Sequence, residues 1–400
     1  MLVIHNVTVY PIVASPIKDG AVAVNEGKIV AVGSGGIAGL ASTSQEVAAA
    51  QVAGNVEYID GAGGVLMPGI IDAHTHLGLH ELGIGPEGHD YNESCNPITP
   101  DLRAIDGIYA EDVGFQCALQ AGITAVCILP GSANVIGGSG VVVHTYGTLI
   151  DDMVLNPYAG MKAAFGQNPK NVYSNKGKSP VTRMGNAALL REWLVKATGY
   201  AAKKARALEK GEPFEIDVKL EPLLPVIHGE APLRAHAHRA DDIATAIRIA
   251  KECRIHIVIE HCTEGHKLAG LLAENKVPAI VGPNLSSLTK VELRERSLNT
   301  PKALAEAGVL VCLTTDHPVN PIEHLILAAA LAKKAGMAEA QVLAALTINP
   351  ARVLGIDQHV GSIEVGKDAD IVLWSGSPLN VHERVRRVWI GGQSVYTSTM

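Results

Sequence analysis

Between residues 66 and 355, short apolar runs alternate with segments that have the spacing of amphipathic helices. The run PLRAHAH, for example, is followed by ADDIATAIRIAKEC, and then by IHIVIEH. Repeated strand-then-helix order is typical of parallel strands joined by crossover helices. The length suits an α/β fold of the (β/α)8 TIM-barrel type, which takes roughly 250 residues before insertions. A doubly wound open sheet is the alternative, but no G-x-G-x-x-G motif follows the first strand.

The two ends of the chain have a different pattern. Residues 1–65 and 356–400 contain short alternating runs, such as LVIHNVTVYPI and VRRVWIGGQSVYTS, broken by Gly, Asp and Pro. Neither piece has enough strand to bury a core alone. Together they predict a small β-sandwich domain built from both chain termini. A less regular segment around 170–230 is interpreted as an insertion in the barrel.

Charge and composition restrict the class of partner. The formal net charge is -7, and no block of like charge occurs. Nucleic acids and anionic membranes select basic patches, so neither is expected as a partner. No apolar run approaches the roughly 20 residues that span a bilayer. The N-terminus lacks the pattern of a signal peptide, and the six cysteines are dispersed, which favours a cytoplasmic location.

Several of the predicted strands end in side chains that can bind a metal ion. The run MPGIIDAHTH finishes with two histidines spaced two apart, and residues i and i+2 of a strand point the same way. In a barrel, the C-terminal ends of all strands face one mouth. Imidazole and carboxylate ligands there suit Zn²⁺, with Mn²⁺, Fe²⁺ or Co²⁺ as alternatives. The strand-end residues are His74, His76, His236, His238, His261 and Asp316.

Five motifs are spread along nearly the whole chain: PGIIDAHTH, NVTVYP, GKIVAVG, TTDHP and TINPARVLGIDQHVGSIEVGKDADIVLW. They resemble those of the amidohydrolase superfamily of metal-dependent hydrolases. The likeness is greatest to its imidazolonepropionase-like and prolidase-like branches. It implies hydrolysis of a C–N bond in a small cyclic or linear amide or dipeptide-like substrate, by a chain that forms a homo-oligomer.

The resemblance also implies individual roles for the candidate ligands. His74 and His76 match the ligands of the first strand, and His236, in preference to His238, matches the ligand of strand five. His261 matches the ligand of strand six, and Asp316 matches the aspartate of strand eight.

Further roles follow from the same likeness. Asp316 would accept a proton from metal-activated water and pass it to the leaving nitrogen. His238 or His317 would steady the developing oxyanion, or else orient a neighbouring group. Lys162, in AGMKAAFGQN, resembles the carboxylated lysine that bridges two ions from strand four, although this segment also fits strand three. One or two ions per chain are therefore expected.

Loops after the strands are where specificity usually lies. We expect the segment YNESCNPITPDLRAIDG to cover the mouth, and PGSANVIGG to present backbone N–H groups to an anion. Arg239 and Arg183 are candidates for pairing with a substrate carboxylate.

Two other functions compete with amide hydrolysis. A heterocycle deaminase of the same superfamily is the first, but many such members carry a glutamate near the strand-five histidine, and no obvious one follows His236. A non-catalytic scaffold is the second. Such relatives usually lack several ligands, whereas every ligand position is filled here.

Overall fold

The computed structural model describes residues 1–399 and contains two eight-stranded sheets, one built from the chain ends and one from the middle. In chain order the strands are β1 (Leu2–Val9), β2 (Ile17–Asn25), β3 (Lys28–Ser34), β4 (Glu57–Asp60), β5 (Val65–Pro68), β6 (Ile70–Thr75), β7 (Ile123–Ile128), β8 (Ile136–His144), β9 (Val154–Ala164), β10 (Leu233–Ala237), β11 (Ile257–His261), β12 (Ala279–Val281), β13 (Val311–Leu313), β14 (Ile371–Trp374), β15 (Val385–Ile390) and β16 (Gln393–Thr397).

Most of the helices connect strands of the middle sheet. None of those within residues 1–399 is long and apolar enough to cross a membrane. They are α1 (Gly36–Thr43), α2 (Gln45–Val52), α3 (Val113–Gln120), α4 (Gln167–Ser174), α5 (Arg183–Lys210), α6 (Leu224–Ile227), α7 (Ala240–Cys253), α8 (Ala269–Glu274), α9 (Thr300–Glu306), α10 (Leu325–Lys334), α11 (Glu339–Ala344) and α12 (Ile348–Val353).

The terminal sheet joins the two ends of the chain. Its strand order is β16-β15-β14-β5-β1-β2-β3, and β4 pairs with the first half of β1. The junction is the antiparallel pair of β5 with β14, in which Leu66 faces Leu373. Ile4, Val9 and Trp389 are buried in the same apolar cluster as these two leucines. Since this core takes side chains from both ends, the prediction of a small β-domain built from both termini is confirmed.

The middle sheet is the barrel, with strand order β6 to β13. Its first and last strands lie side by side, and Oγ1 of Thr314, just after β13, donates to the carbonyl of His74 at 2.7 Å. The prediction of a (β/α)8-type barrel is confirmed with one difference. Strand β8 runs antiparallel to both β7 and β9. The connections on either side of it, residues 129–135 and 145–153, are too short for the crossover that a parallel pair requires.

The segment predicted as an insertion forms the long crossover between β9 and β10. Its main element is α5, which packs on α6 and α7. The buried face of α5 includes Leu190, Leu194 and Ala197, spaced as one stripe of a helix. This crossover starts directly after β9, so its first residues lie beside the mouth of the barrel.

Candidate metal centre

The candidate ligands all lie at the C-terminal ends of barrel strands. His74 is the penultimate residue of β6, and His76 directly follows that strand. His261 is the last residue of β11, and Asp316 comes three residues after β13. All of the proposed ligands are buried. The others are His236 on β10, His238 one residue beyond it, and Lys162 on β9.

The six imidazole and carboxylate side chains form two adjoining groups. His74, His76 and Asp316 form the first group, and the three remaining histidines, at 236, 238 and 261, form the second. The donor atoms of each group lie within 4.8 Å of one another. Asp316 connects the groups, because its Oδ1 is 3.4 Å from Nε2 of both His74 and His76, and its Oδ2 is 3.8 Å from Nδ1 of His261.

Two of these residues have a strained backbone. His261 has a φ of 68° and Asp316 a φ of 54°, in the left-handed region that favours glycine. Such conformations cost on the order of 1–3 kcal/mol and are concentrated at functional sites. The strain therefore falls on residues whose side chains must be directed at a common point.

Three histidines are held through their Nδ1 atoms. Their Nδ1 atoms each contact an oxygen that can only accept, so the proton is on Nδ1 and the lone pair is on Nε2. This arrangement is typical of imidazoles that bind metal. The contacts are His74 with Oε2 of Glu260 at 2.7 Å, His76 with the carbonyl of Leu129 at 2.7 Å, and His261 with the carbonyl of Gly282 at 2.9 Å.

The second group contains polar atoms that lack a partner. Within residues 1–399, Nδ1 of His236 and Nε2 of His238 are buried and accept or donate no hydrogen bond. Burial lowers the pKa of both imidazoles well below the ordinary value, and it lowers the pKa of His261 to about 3, so all three rings are neutral. Buried polar atoms without partners are costly. Neutral imidazoles beside a carboxylate fit a divalent cation of the zinc type.

A buried ion pair supports the first group from inside the barrel. Glu260 and Arg234 have no exposed surface, and Nε of Arg234 donates to Oε1 of Glu260. Burial would raise the pKa of Glu260, but Arg234 and His74 hold it well below its usual range. The residue is therefore a carboxylate that fixes the ring of His74. Neither member of the pair was predicted as a site residue. A signal existed for Arg234, which precedes His236 by two positions and so shares its strand face.

Lys162 lies on β9, which is the fourth strand of the barrel sheet. This order decides between the two strand positions that the sequence left open. The side chain is fully buried, and its Nζ is 3.3 Å from Nε2 of His74. Burial lowers the pKa of the ammonium to about 8, against the opposing charges of Glu260 and Asp316.

A cavity of about 320 Å³ opens over the candidate ligands. Tyr91, Ser132, Asn168 and Lys290 contribute to its walls, and His238 is part of its lining. Tyr91 belongs to the loop that was expected to cover the mouth, and its ring stacks on His76. Asn168 and Lys290 were not predicted as site residues, because they lie outside the strand-end pattern.

Three sequence-based candidates lie outside this cavity. His317 is fully buried beside Gly114 and does not line the cavity, whereas His238 does. Arg239 binds Asp241 through two hydrogen bonds of 2.9 and 3.0 Å in a separate surface cleft. Arg183 is held by acidic partners on two other segments. Neither arginine lines the cavity, and carboxylates close to each of them already pair with it. Pairing of either arginine with a substrate carboxylate stays a prediction.

Known proteins of similar sequence and structure show the family to which the chain belongs. A crystal structure of an amidohydrolase from Thermotoga maritima MSB8 has a TM-score of 0.93 to this chain and is 42% identical, with 100% of each chain covered. The chain belongs to the amidohydrolase superfamily. The model of the Amidohydrolase family matches residues 226–395, which include four of the candidate ligands of this amidohydrolase.

Two curated relatives are similar to this amidohydrolase over most of its length. Amidohydrolase tasK of Hapsidospora irregularis is 29% identical over 89% of this chain, which spans 39% of that protein's length. The imidazolonepropionase of Sphingopyxis alaskensis is 24% identical over 92% of this chain and 90% of its own length. The resemblance expected from the sequence is confirmed, and the protein is a hydrolase of this superfamily.

Proposed function

We propose that this amidohydrolase is a cytoplasmic, metal-dependent enzyme that hydrolyses a C–N bond in a small cyclic or linear amide or dipeptide-like molecule. One observation carries the proposal: two adjoining buried groups of ligand-type side chains lie under one cavity. The donor set suits two divalent ions, with zinc preferred. When bound, such an ion supplies a Lewis acid for the scissile carbonyl and lowers the pKa of water towards about 7.

The ions would be held by residues of the two groups. His74, His76 and Asp316 would hold one ion, and His236 and His261 would hold the other. Lys162 is proposed to bridge them as its carboxylated form. The support for this role is its buried position 3.3 Å from Nε2 of His74 and its contact with the cavity.

Asp316 is proposed to move the proton. Its Oδ1 is 3.4 Å from Nε2 of both His74 and His76, so the carboxylate lies beside the position proposed for an ion. It is also the only carboxylate among the described residues that line the cavity. A carboxylate in this position can accept a proton from the attacking water and deliver it to the leaving nitrogen.

His238 is proposed to stabilise the negative charge that develops on the substrate oxygen. Its Nδ1 is 2.8 Å from Oγ1 of Thr263. When that hydroxyl donates to Nδ1, the proton of the neutral ring is on Nε2, which is available to donate to the oxygen. Thr263 thereby sets the tautomer that the role requires.

The size of the cavity supports a small substrate. Its volume of about 320 Å³ is at the lower end of the range for small-molecule sites.

No carboxylate besides Asp316 is available within the described lining for a separate proton-transfer role. Glu264, which follows His261 by three residues, is occupied by the backbone N–H of Ala240 at 2.9 Å and by Lys267 at 3.3 Å.

A substrate screen tests the proposal. Protein reconstituted with zinc would be incubated with hydantoins, lactams, imidazolones, N-acyl amino acids and dipeptides, and products would be detected by mass spectrometry and by an ammonia assay. We expect ring opening or amide cleavage with the gain of one water, lost on chelation and restored by zinc. Ammonia release from heterocycles without amide cleavage would overturn the proposal in favour of deamination.

A further inference from the structure

One wall of the cavity carries three polar side chains that are hydrogen-bonded in a row and come from three separate segments. Nζ of Lys290 donates to Oδ1 of Asn168 at 3.0 Å, and Nδ2 of Asn168 donates to Oγ of Ser132 at 2.6 Å. Lys290 comes from the loop after β12, Asn168 from the start of α4, and Ser132 from the loop between β7 and β8. All three side chains face the space above the candidate ligands.

Lys290 carries a charge that no acidic side chain balances. Within residues 1–399, it forms no ion pair at 4.0 Å or less, although its side chain is partly buried. The acidic groups that act on it are Glu292 and Asp316, and both are engaged by other cations or imidazoles. A desolvated ammonium without a counter-ion is costly. Because Lys290 lies on the wall of a ligand cavity, an anion bound there would act as its counter-ion.

Hydrogen bonds and ion pairs around Glu292 hold the loop that carries Lys290. Oε1 of Glu292, two residues along the chain, accepts from the backbone N–H of Gln167 at 2.7 Å and from Nη2 of Arg183 at 2.8 Å. Arg183 also binds Asp242 through its Nε at 3.0 Å. These contacts therefore connect the loop of Lys290 to the N-terminal end of the helix that carries Asn168. Donors held in this way lose little freedom when a ligand binds.

We infer that Lys290, together with Asn168 and Ser132, binds a carboxylate on the substrate. This inference rests on the proposed function, since it concerns the same site. The substrate class is an amide that carries a carboxylate near the scissile bond, such as an N-acyl amino acid. A single ammonium with neutral neighbours on this wall matches one monoanionic group.

Matched pairs of compounds test the inference. A panel of N-acetyl-L-amino acids would be compared with the corresponding N-acetyl-L-amino acid amides, which differ only in the charged group. We expect the wild type to hydrolyse acids and not the amides. In Lys290→Gln, KM for the acids should rise about 10- to 100-fold with little change in kcat, the signature of a lost charge-assisted contact. Lys290→Arg should recover part of this loss.

The control removes one charge elsewhere. Lys251 is an exposed residue on α7 that lies beside the opposite end of the barrel strands. Lys251→Gln should therefore leave KM for the acids unchanged. Calorimetric binding of the same panel to Asp316→Asn, which is expected not to turn over, supplies a second measurement. The acids should bind this variant, and binding should be lost when Lys290→Gln is added.

The outcomes separate the two proposals. Equal turnover of acids and amides, or failure of every acid to bind the Asp316→Asn variant, would overturn the carboxylate site. If neutral lactams or hydantoins were still hydrolysed, the proposed function would stand without it. If no amide of any kind were cleaved by the zinc-loaded wild type, while the acids still bound and required Lys290, the proposed function would fail and the anion site would remain.

Discussion

Nδ1 of His74 donates a hydrogen bond of 2.7 Å to Oε2 of Glu260, a carboxylate with no exposed surface. The two residues are 186 positions apart in the sequence. Glu260 also holds the guanidinium of Arg234, so one buried carboxylate connects the interior of the barrel to a candidate ligand. Stability and metal binding should therefore depend on the same residue.

The first prediction concerns Glu260→Gln. The substitution leaves Arg234 buried without a counter-charge, and breaking a buried pair in this way costs about 3–5 kcal/mol. Glutamine keeps one acceptor oxygen where Glu260 supplies two, so His74 should be held less firmly and metal affinity should weaken about 10- to 100-fold. Urea unfolding and metal titration measure the two effects. The control, Glu252→Gln, removes an exposed pair with Arg191 and should cost less than about 1 kcal/mol. Equal stability of the two variants would contradict the prediction.

The second prediction concerns Asp316→Asn. An amide cannot take the proton that we assign to Asp316, so kcat should fall by about 10²- to 10⁴-fold or more. The circular dichroism spectrum should not change. Asp241→Asn, which alters an exposed carboxylate outside the cavity, is the matched control. Near-normal turnover by the Asp316 variant would show that the assigned mechanism is wrong.

The sequence predicted much of the fold, because strand and helix periods are local properties. Strand-end positions also identified the imidazoles and Asp316, since parallel strands place their ends at one mouth. The direction of β8 was not predictable in the same way. It depends on two short connections whose lengths become clear only when the strand bounds are known. Lys290 and Asn168 were missed because they lie outside the strand ends, one in a loop and one at the start of α4, and they come together only after folding.

The third prediction concerns Lys162→Met. A buried side chain of similar length without a donor should preserve packing but remove the proposed bridge. We expect the number of tightly bound ions per chain to fall by about one, with little change in the unfolding midpoint of the metal-free protein. Elemental analysis after dialysis measures the ion content. An unchanged ion count would show that Lys162 does not bridge.

The fourth prediction concerns pH. Asp242 and Glu292 share the single guanidinium of Arg183, with Asp241 nearby. Burial raises the pKa of Asp242 from 3.8 to about 6. Because the folded protein keeps this proton while the unfolded chain loses it, the contribution of Asp242 to stability is greatest below pH about 4. That contribution falls as the pH rises through about 6, by on the order of 2 kcal/mol.

Comparison with Asp242→Asn isolates this effect, because the amide has no proton to lose. The free energy of unfolding would be measured in urea for both proteins at several values between pH 4 and pH 7. Wild type should lose stability relative to the variant over this interval. A difference that stays constant with pH would contradict the assigned shift.

The metal content and position of the purified wild-type protein test the central claim most directly. Elemental analysis of protein prepared with zinc and without chelators, combined with anomalous diffraction from its crystals, gives both quantities. We predict two ions per chain, one beside His74, His76 and Asp316 and one beside His236 and His261. Less than about one tightly held ion per chain, or ions bound away from these residues, would contradict it.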